Sequence, residues 1–145
     1  MAKRVKLQVG DIFEFDLDTM PGKGYGRILK IDMRSLFVEL YQSQSNSPFD
    51  VSNVDSYKVM LMIWCTDNGL KSGEWTVIGH APVGEFEMPD FITTSALTGE
   101  LQIVRDGKRI PATEELRKRA QPYGIFGHEA VRLAYVDALN HAKEL

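Results

Sequence analysis

The stretch from Val9 to Leu29, VGDIFEFDLDTMPGKGYGRIL, constrains the fold more than any other part of the chain. Its first half alternates, with Phe13, Phe15 and Leu17 on one side and Glu14 and Asp16 on the other. A period of two belongs to a β-strand with one face on a core and the other in water. Asp18 to Gly24 is then rich in turn formers. Pro21 presets its own φ, while Gly22 and Gly24 permit positive φ, so the chain is expected to reverse here. Tyr25 to Ile31 resumes as a strand, with Tyr25, Ile28 and Leu29 apolar beside Arg27 and Lys30. The pattern predicts a β-hairpin opening an antiparallel sheet.

The rest of the first two thirds reads as further strands. Leu36 to Tyr41 is apolar on nearly every position and is expected to bury both faces. Gln42 to Ser56 is polar and without period, the longest loop of the reading. Tyr57 to Cys65, YKVMLMIWC, is the most apolar segment; its length and β-forming residues predict the central strand. Asp67-Asn68-Gly69 reads as a turn, Glu74 to Ile78 as a strand, and His80 to Asp90, with Pro82, Gly84 and Pro89, as a loop. Short strands follow at Phe91 to Thr94, Leu101 to Val104 and Arg109-Ile110.

Thr113 is placed to cap a helix over Glu114 to Ala120, acidic at its start and basic at its end, as the helix dipole favours. Gln121 to Gly127 breaks it. A second helix over His128 to Lys143 carries Val131, Tyr135, Ala138 and Ala142 on one face, with Leu133 and Val136 opposite. The expected fold class is α+β, mostly β: a strongly bent antiparallel sheet or small barrel with C-terminal helices packed on it. One domain over 1–145 is expected, β-rich over about 9–112 and helical over about 113–143, a size that supports a core without staples.

Several function classes lose ground on composition. A net charge of −3 and a pI near 5.6 argue against a general nucleic-acid binder. Cys65 is the single cysteine, which excludes an internal disulfide framework and a multi-cysteine zinc site. Val9 to Leu17 is broken by charges and offers no signal-peptide core, and the run Val59 to Cys65 is too short to span a bilayer. The expected compartment is the cytoplasm, with no membrane partner.

Catalytic and ligand-binding motifs fare no better. Gly22-Lys23-Gly24-Tyr25-Gly26 lacks the spacing, the Gly-Lys-Ser/Thr ending and the following helix of a P-loop. Cys65 and His80 are the residue types of a thiolate–imidazole pair, but Cys65 ends the most apolar strand, where a cysteine behaves as a small buried hydrophobe. His128-Glu129 lacks the second histidine of a zinc-binding helix, and Arg117-Lys118-Arg119 reads as a solvated helix face. No catalytic residue, metal or cofactor is expected.

Val9-Gly10-Asp11-Ile12-Phe13, Tyr25-Gly26-Arg27-Ile28-Leu29, Ile63-Trp64, and Lys71-Ser72-Gly73-Glu74-Trp75-Thr76-Val77-Ile78-Gly79 occur in order. Phe91, Thr98-Gly99-Glu100-Leu101 and Ile110-Pro111-Ala112-Thr113 follow. Together, over about Val9 to Thr113, these pieces resemble the bacterial immunity protein family numbered twenty-six among polymorphic-toxin systems. The resemblance implies a non-catalytic cytoplasmic antidote that binds the C-terminal domain of a cognate polymorphic or contact-dependent toxin. It supplies no fixed set of binding residues.

The expected toxin contacts are therefore read from the chain itself: Asp50, Asp55 and Asp67 in loops, with Glu74 and Trp75. Acidic groups near an aromatic anchor suit a basic partner. Trp75 reads equally as a core residue of its strand. A small β-barrel module recognising a ligand, peptide or nucleic acid is the alternative reading, and an enzyme with a His80 and Cys65 or carboxylate site is a third.

Overall fold

A computed structural model describes residues 6–43 and 48–143. The basic N-terminal residues 1–5 and the middle of the expected long loop, 44–47, lie outside the described residues, as do the side chains from Ala142 onward. The chain forms two compact units, Met1–Val83 with Ile125–Leu145, and Gly84–Gly124.

The first unit is built on a six-stranded sheet. Its strands are β1 (Asp11–Asp16), β2 (Lys23–Asp32), β3 (Ser35–Tyr41), β4 (Val59–Thr66), β5 (Thr76–His80) and a two-residue strand, β10 (Ile125–Phe126). They lie in the order β10-β4-β3-β2-β1-β5, an open sheet and not a closed barrel. All pairings are antiparallel except β10 with β4, which is parallel. Register shifts occur in the β1–β5, β2–β3 and β3–β4 ladders. Such irregularities raise the local twist and bend the strands.

The expected hairpin forms, with a different division of labour between its glycines. Gly22 (φ 112°) and Asp18 (φ 57°) take the left-handed conformations of the turn. Gly24, expected in the turn, lies inside β2 directly across from Phe15, and Gly26 lies across from Phe13. A Cβ on Gly24 would stand 2.4 Å from the Phe15 ring, and one on Gly26 2.7 Å from the Phe13 ring and 2.8 Å from the Glu39 carbonyl. The glycines are there so that each ring can lie flat across its partner strand.

A third glycine serves the same layer. Asp67-Asn68-Gly69 is not a bare turn but opens a short helix, α1 (Asn68–Ser72), which Gly73 ends in the left-handed conformation. The Trp75 indole covers Gly69, where a Cβ would approach to 2.7 Å. Trp75 stacks on Phe13 (centroids 5.1 Å, planes 4° apart) and on Phe15 (5.1 Å, 28°). Phe15 in turn meets Tyr135 edge-on at 5.3 Å.

Tyr135 belongs to α3 (His128–Lys143), which covers β4 on this face. Val131, Tyr135 and Leu139 are buried there with Val38, Leu40, Ile63, Cys65 and Leu70. The Tyr135 hydroxyl donates to the Tyr41 carbonyl at 2.5 Å, so the helix is tied to β3 at its polar tip. Leu133 is exposed on the side opposite the buried face, whereas Val136, read as its companion there, packs against the same core. The apolar stripe of this helix is wide.

The opposite face of the sheet carries a smaller cluster of Ile12, Tyr41 and Val54, with Tyr25, Phe49, Val51, Tyr57 and Ile78 packed against it. Its cover is a 3-10 helix, Val51–Ser56, which forms in what reads from sequence as plain loop.

The second unit holds a four-stranded sheet of β6 (Phe91–Thr94), β7 (Leu101–Arg105), β8 (Lys108–Pro111) and β9 (Gln121–Pro122), in the order β8-β7-β6-β9. The β9 strand pairs parallel with β6. Helix α2 (Glu114–Arg119) is capped by the Thr113 hydroxyl, which accepts from the Leu116 amide, but it buries no residue. Asp90 and Arg105 join through two hydrogen bonds of 2.8 Å. The α+β, mostly β reading is thus met by two sheets, with α3 as the helix packed on the first.

Two measurements check these points. Gly26→Ala is expected to destabilise the protein by about 1–3 kcal/mol through overpacking. Gly127→Ala, which meets nothing within 4 Å, should stay within about 0.5 kcal/mol in the same urea titration. Hydrogen bonds from Arg105, then its charge, hold the Asp90 carboxyl below the ordinary carboxylate range. That contribution is complete above the unfolded value near ~3.9 and is lost as pH falls through the lower folded value. NMR titration should find Asp90 low in the parent and back near ~3.9 in Arg105→Gln.

Candidate functional site

The 3-10 helix face collects the charged and aromatic groups that stand out from a packing role. Arg27 on β2 and Glu39 on β3 are cross-strand partners in the register. Arg27 Nε and Nη2 donate to Glu39 Oε1 at 3.0 and 2.8 Å, and Nη2 also reaches Asp55 Oδ1 at 2.9 Å. The Tyr41 hydroxyl donates to the same Glu39 oxygen. Arg27 Nη1 donates to the Pro82 carbonyl at 3.3 Å. The Arg27 and Glu39 side chains are only 7% and 11% exposed, whereas Asp55 is 80% exposed.

Burial opposes the Arg27 charge, but its bonds to Glu39 and Asp55 outweigh that, and its pKa rises. Burial and the Glu39 carboxylate push the Tyr41 hydroxyl far above its usual range, so it remains a donor. Asp55 is therefore the solvent-facing end of a buried charge network.

Asp50 caps the 3-10 helix from its other end. Its carboxylate accepts from the Ser52 amide (3.1 Å), the Ser52 hydroxyl (2.6 Å) and the Asn53 side-chain amide (2.7 Å). Those bonds hold its pKa below the ordinary carboxylate value. Beside it, Phe49 stacks between Tyr25 (4.3 Å) and Tyr57 (4.4 Å). Phe49, Asp50, Asn53, Ser56, Tyr57 and Lys58 line an open cavity of about 440 Å³.

The other three expected contact residues gather elsewhere. Asp67 stands at the N-cap of α1, 9% exposed, with no side-chain capping bond. Trp75 is a core residue, 4% exposed, and not a surface anchor. Glu74 is exposed, and its Oε2 lies 3.2 Å from His128 Nε2. Asp50 and Asp55 thus share one helix over the smaller cluster, while Asp67, Glu74 and Trp75 frame α1 beside the larger core.

Catalytic pairing of Cys65 and His80 has no geometric basis. They sit on β4 and β5, four strand spacings apart, roughly 19 Å at ~4.8 Å each. Burial and the Asp67 charge push the Cys65 thiol up to about 12. His80 Nδ1 instead pairs with Asp11 at 3.1 Å.

The model for immunity protein 26 matches residues 8–100. The chain belongs to the immunity protein 26 family. The match takes in β1 through β6, the Arg27–Glu39–Asp55 network and all five expected contact residues. It stops short of Ile110-Pro111-Ala112-Thr113, the last segment of the sequence resemblance, and of α3. Neither the curated proteins nor the solved structures contained a match. Among the described residues no helix is long and apolar enough to cross a membrane.

Sequence reasoning passed over Arg27, Glu39, Phe49 and Tyr57 as site residues. A signal for the first two was present: Glu39 is the one charge in β3, and the Asp32–Ser35 reversal sets it across from Arg27 of β2. Breaking this pair is expected to be costly. Glu39→Gln leaves a buried guanidinium short of its main partner and should cost about 3 kcal/mol, against under ~1 kcal/mol for Asp55→Asn. Thermal or urea unfolding of both variants checks the ratio.

Proposed function

We propose that this immunity protein 26 family member is a cytoplasmic antidote that binds the C-terminal domain of a cognate polymorphic or contact-dependent toxin and blocks it without chemistry of its own. The family match over residues 8–100 carries the reading. The buried, protonated Cys65 and its separation from His80 support the non-catalytic part. The match runs from the first compact unit into the second, which supports treating residues 1–145 as a single immunity-type domain.

The 3-10 helix face is the proposed contact surface. Asp50 and Asp55 present carboxylates to solvent beside the Phe49–Tyr57 aromatic groove. Such a surface accelerates encounter with a basic partner and offers flat rings for burial. Glu74 is the exposed acid of the second group, whose Asp67 and Trp75 are buried.

Co-expression with the toxin domain encoded beside this gene is expected to restore growth, and the two proteins should co-purify in fixed stoichiometry. Charge reversal is a poor probe of this surface, because a lysine at position 55 would face Arg27. Asp50→Asn and Asp55→Asn preserve the cap and the acceptor while removing charge. The double variant should bind at least about tenfold more weakly, mostly through slower association. Unchanged affinity would remove this face from the interface. An active cognate toxin that is neither neutralised nor bound would end the antidote reading.

A further inference from the structure

We propose that Glu74, His128 and Glu129 form a binding site for a divalent transition-metal ion of the zinc class. Glu74 lies between Gly73, which ends α1, and β5, whereas His128 and Glu129 open α3. The fold brings these distant segments together within the first unit. His128 Nε2 lies 3.2 Å from Glu74 Oε2 and 3.7 Å from Glu129 Oε1. One ligand atom from each residue falls within 4.8 Å of the others.

The His128 imidazole faces both carboxylates, at 3.2 and 3.7 Å, and the longer spacing is beyond a hydrogen bond. A tetrahedral ion with ligands at about 2.0–2.1 Å would hold its donor atoms about 3.3–3.4 Å apart, between the two observed spacings. Drawing the two glutamate oxygens, which lie within 4.8 Å of each other, onto one ion takes a rotation of their side chains. Both are more than half exposed and have room to make it.

The surroundings suit the same purpose. The other Glu129 oxygen, Oε2, meets Arg132, and Arg132 Nη1 meets Asp18 at 2.8 Å. This chain of contacts orients the carboxylate and leaves Oε1 as the oxygen nearest His128, the usual work of groups around a metal ligand. One imidazole and two carboxylates suit Zn²⁺ and its neighbours. The set has too few oxygens for Ca²⁺ and no sulfur for Cu(I). The positive end of the α3 dipole disfavours a cation, and two carboxylates offset it. Solvent access leaves a fourth position for water.

The test is calorimetric titration of tag-free protein with ZnCl₂ and, separately, MgCl₂. One Zn²⁺ per chain and a raised melting temperature are expected, with no comparable response to Mg²⁺. His128→Gln and Glu74→Gln should each weaken Zn²⁺ binding at least about tenfold. His80→Gln and His141→Gln should leave it unchanged. Absence of one-to-one binding up to millimolar Zn²⁺ would overturn the site. So would binding that survives both Gln variants, or binding lost through His80 or His141. Circular dichroism verifies that the variants fold, and Glu74→Gln decides the matter alone should His128→Gln unfold.

Discussion

Three aromatic rings lying on three glycines hold the first unit together. Phe15 covers Gly24, Phe13 covers Gly26, and Trp75 covers Gly69. Because the first two contacts are cross-strand pairs, they also lock the β1–β2 register, and a slip of one residue would drive a ring into a side chain. Trp75 then extends the layer from β1 to α1, and Tyr135 extends it to α3. Every element on this face of the sheet meets that layer or its immediate neighbours. The large apolar area of the rings supplies the drive for burial, and the glycines supply the space without which the rings could not lie flat.

The other face solves a different problem. Glu39 and Arg27 are charged side chains in the middle of apolar strands, and neither is tolerable alone. Together with Tyr41 they satisfy one another, and Asp55 carries the excess negative charge out to solvent. Stability is a weak reason for such an arrangement, since a buried pair of this kind rarely surpasses apolar packing. It does fix the 3-10 helix over the sheet and sets Asp55 at a defined place on the surface. A binding face made of a short helix therefore inherits rigidity from the sheet below it.

Much of the architecture was legible in local pattern. The hairpin, the apolar β3 and β4, the Thr113 cap and the α3 stripe all follow from period, turn chemistry and capping. The misreadings have specific causes. Gly24 looked like a turn residue because glycine is permissive; its actual role depends on a ring across the sheet. Asp67-Asn68-Gly69 carried turn chemistry and became the start of a helix, which the packing of Leu70 and Gly69 against Trp75 and the core rewards. Two-residue parallel strands such as β9 and β10 are too short to leave a pattern.

The sequence by itself determined the types of the longer elements, the mostly β composition, the lack of a catalytic motif and the family to which the chain belongs. These properties live in residues close together in the chain, where sterics and hydrogen bonding act locally. Tertiary structure alone decided that Trp75 is core while Glu74 beside it is exposed. It also decided that Asp55 answers Arg27, and that Glu74 meets His128 and Glu129 across the unit. Such meetings depend on which strand lies beside which and on where α3 docks. Those choices are made by the burial of whole faces, to which no single segment's pattern gives access.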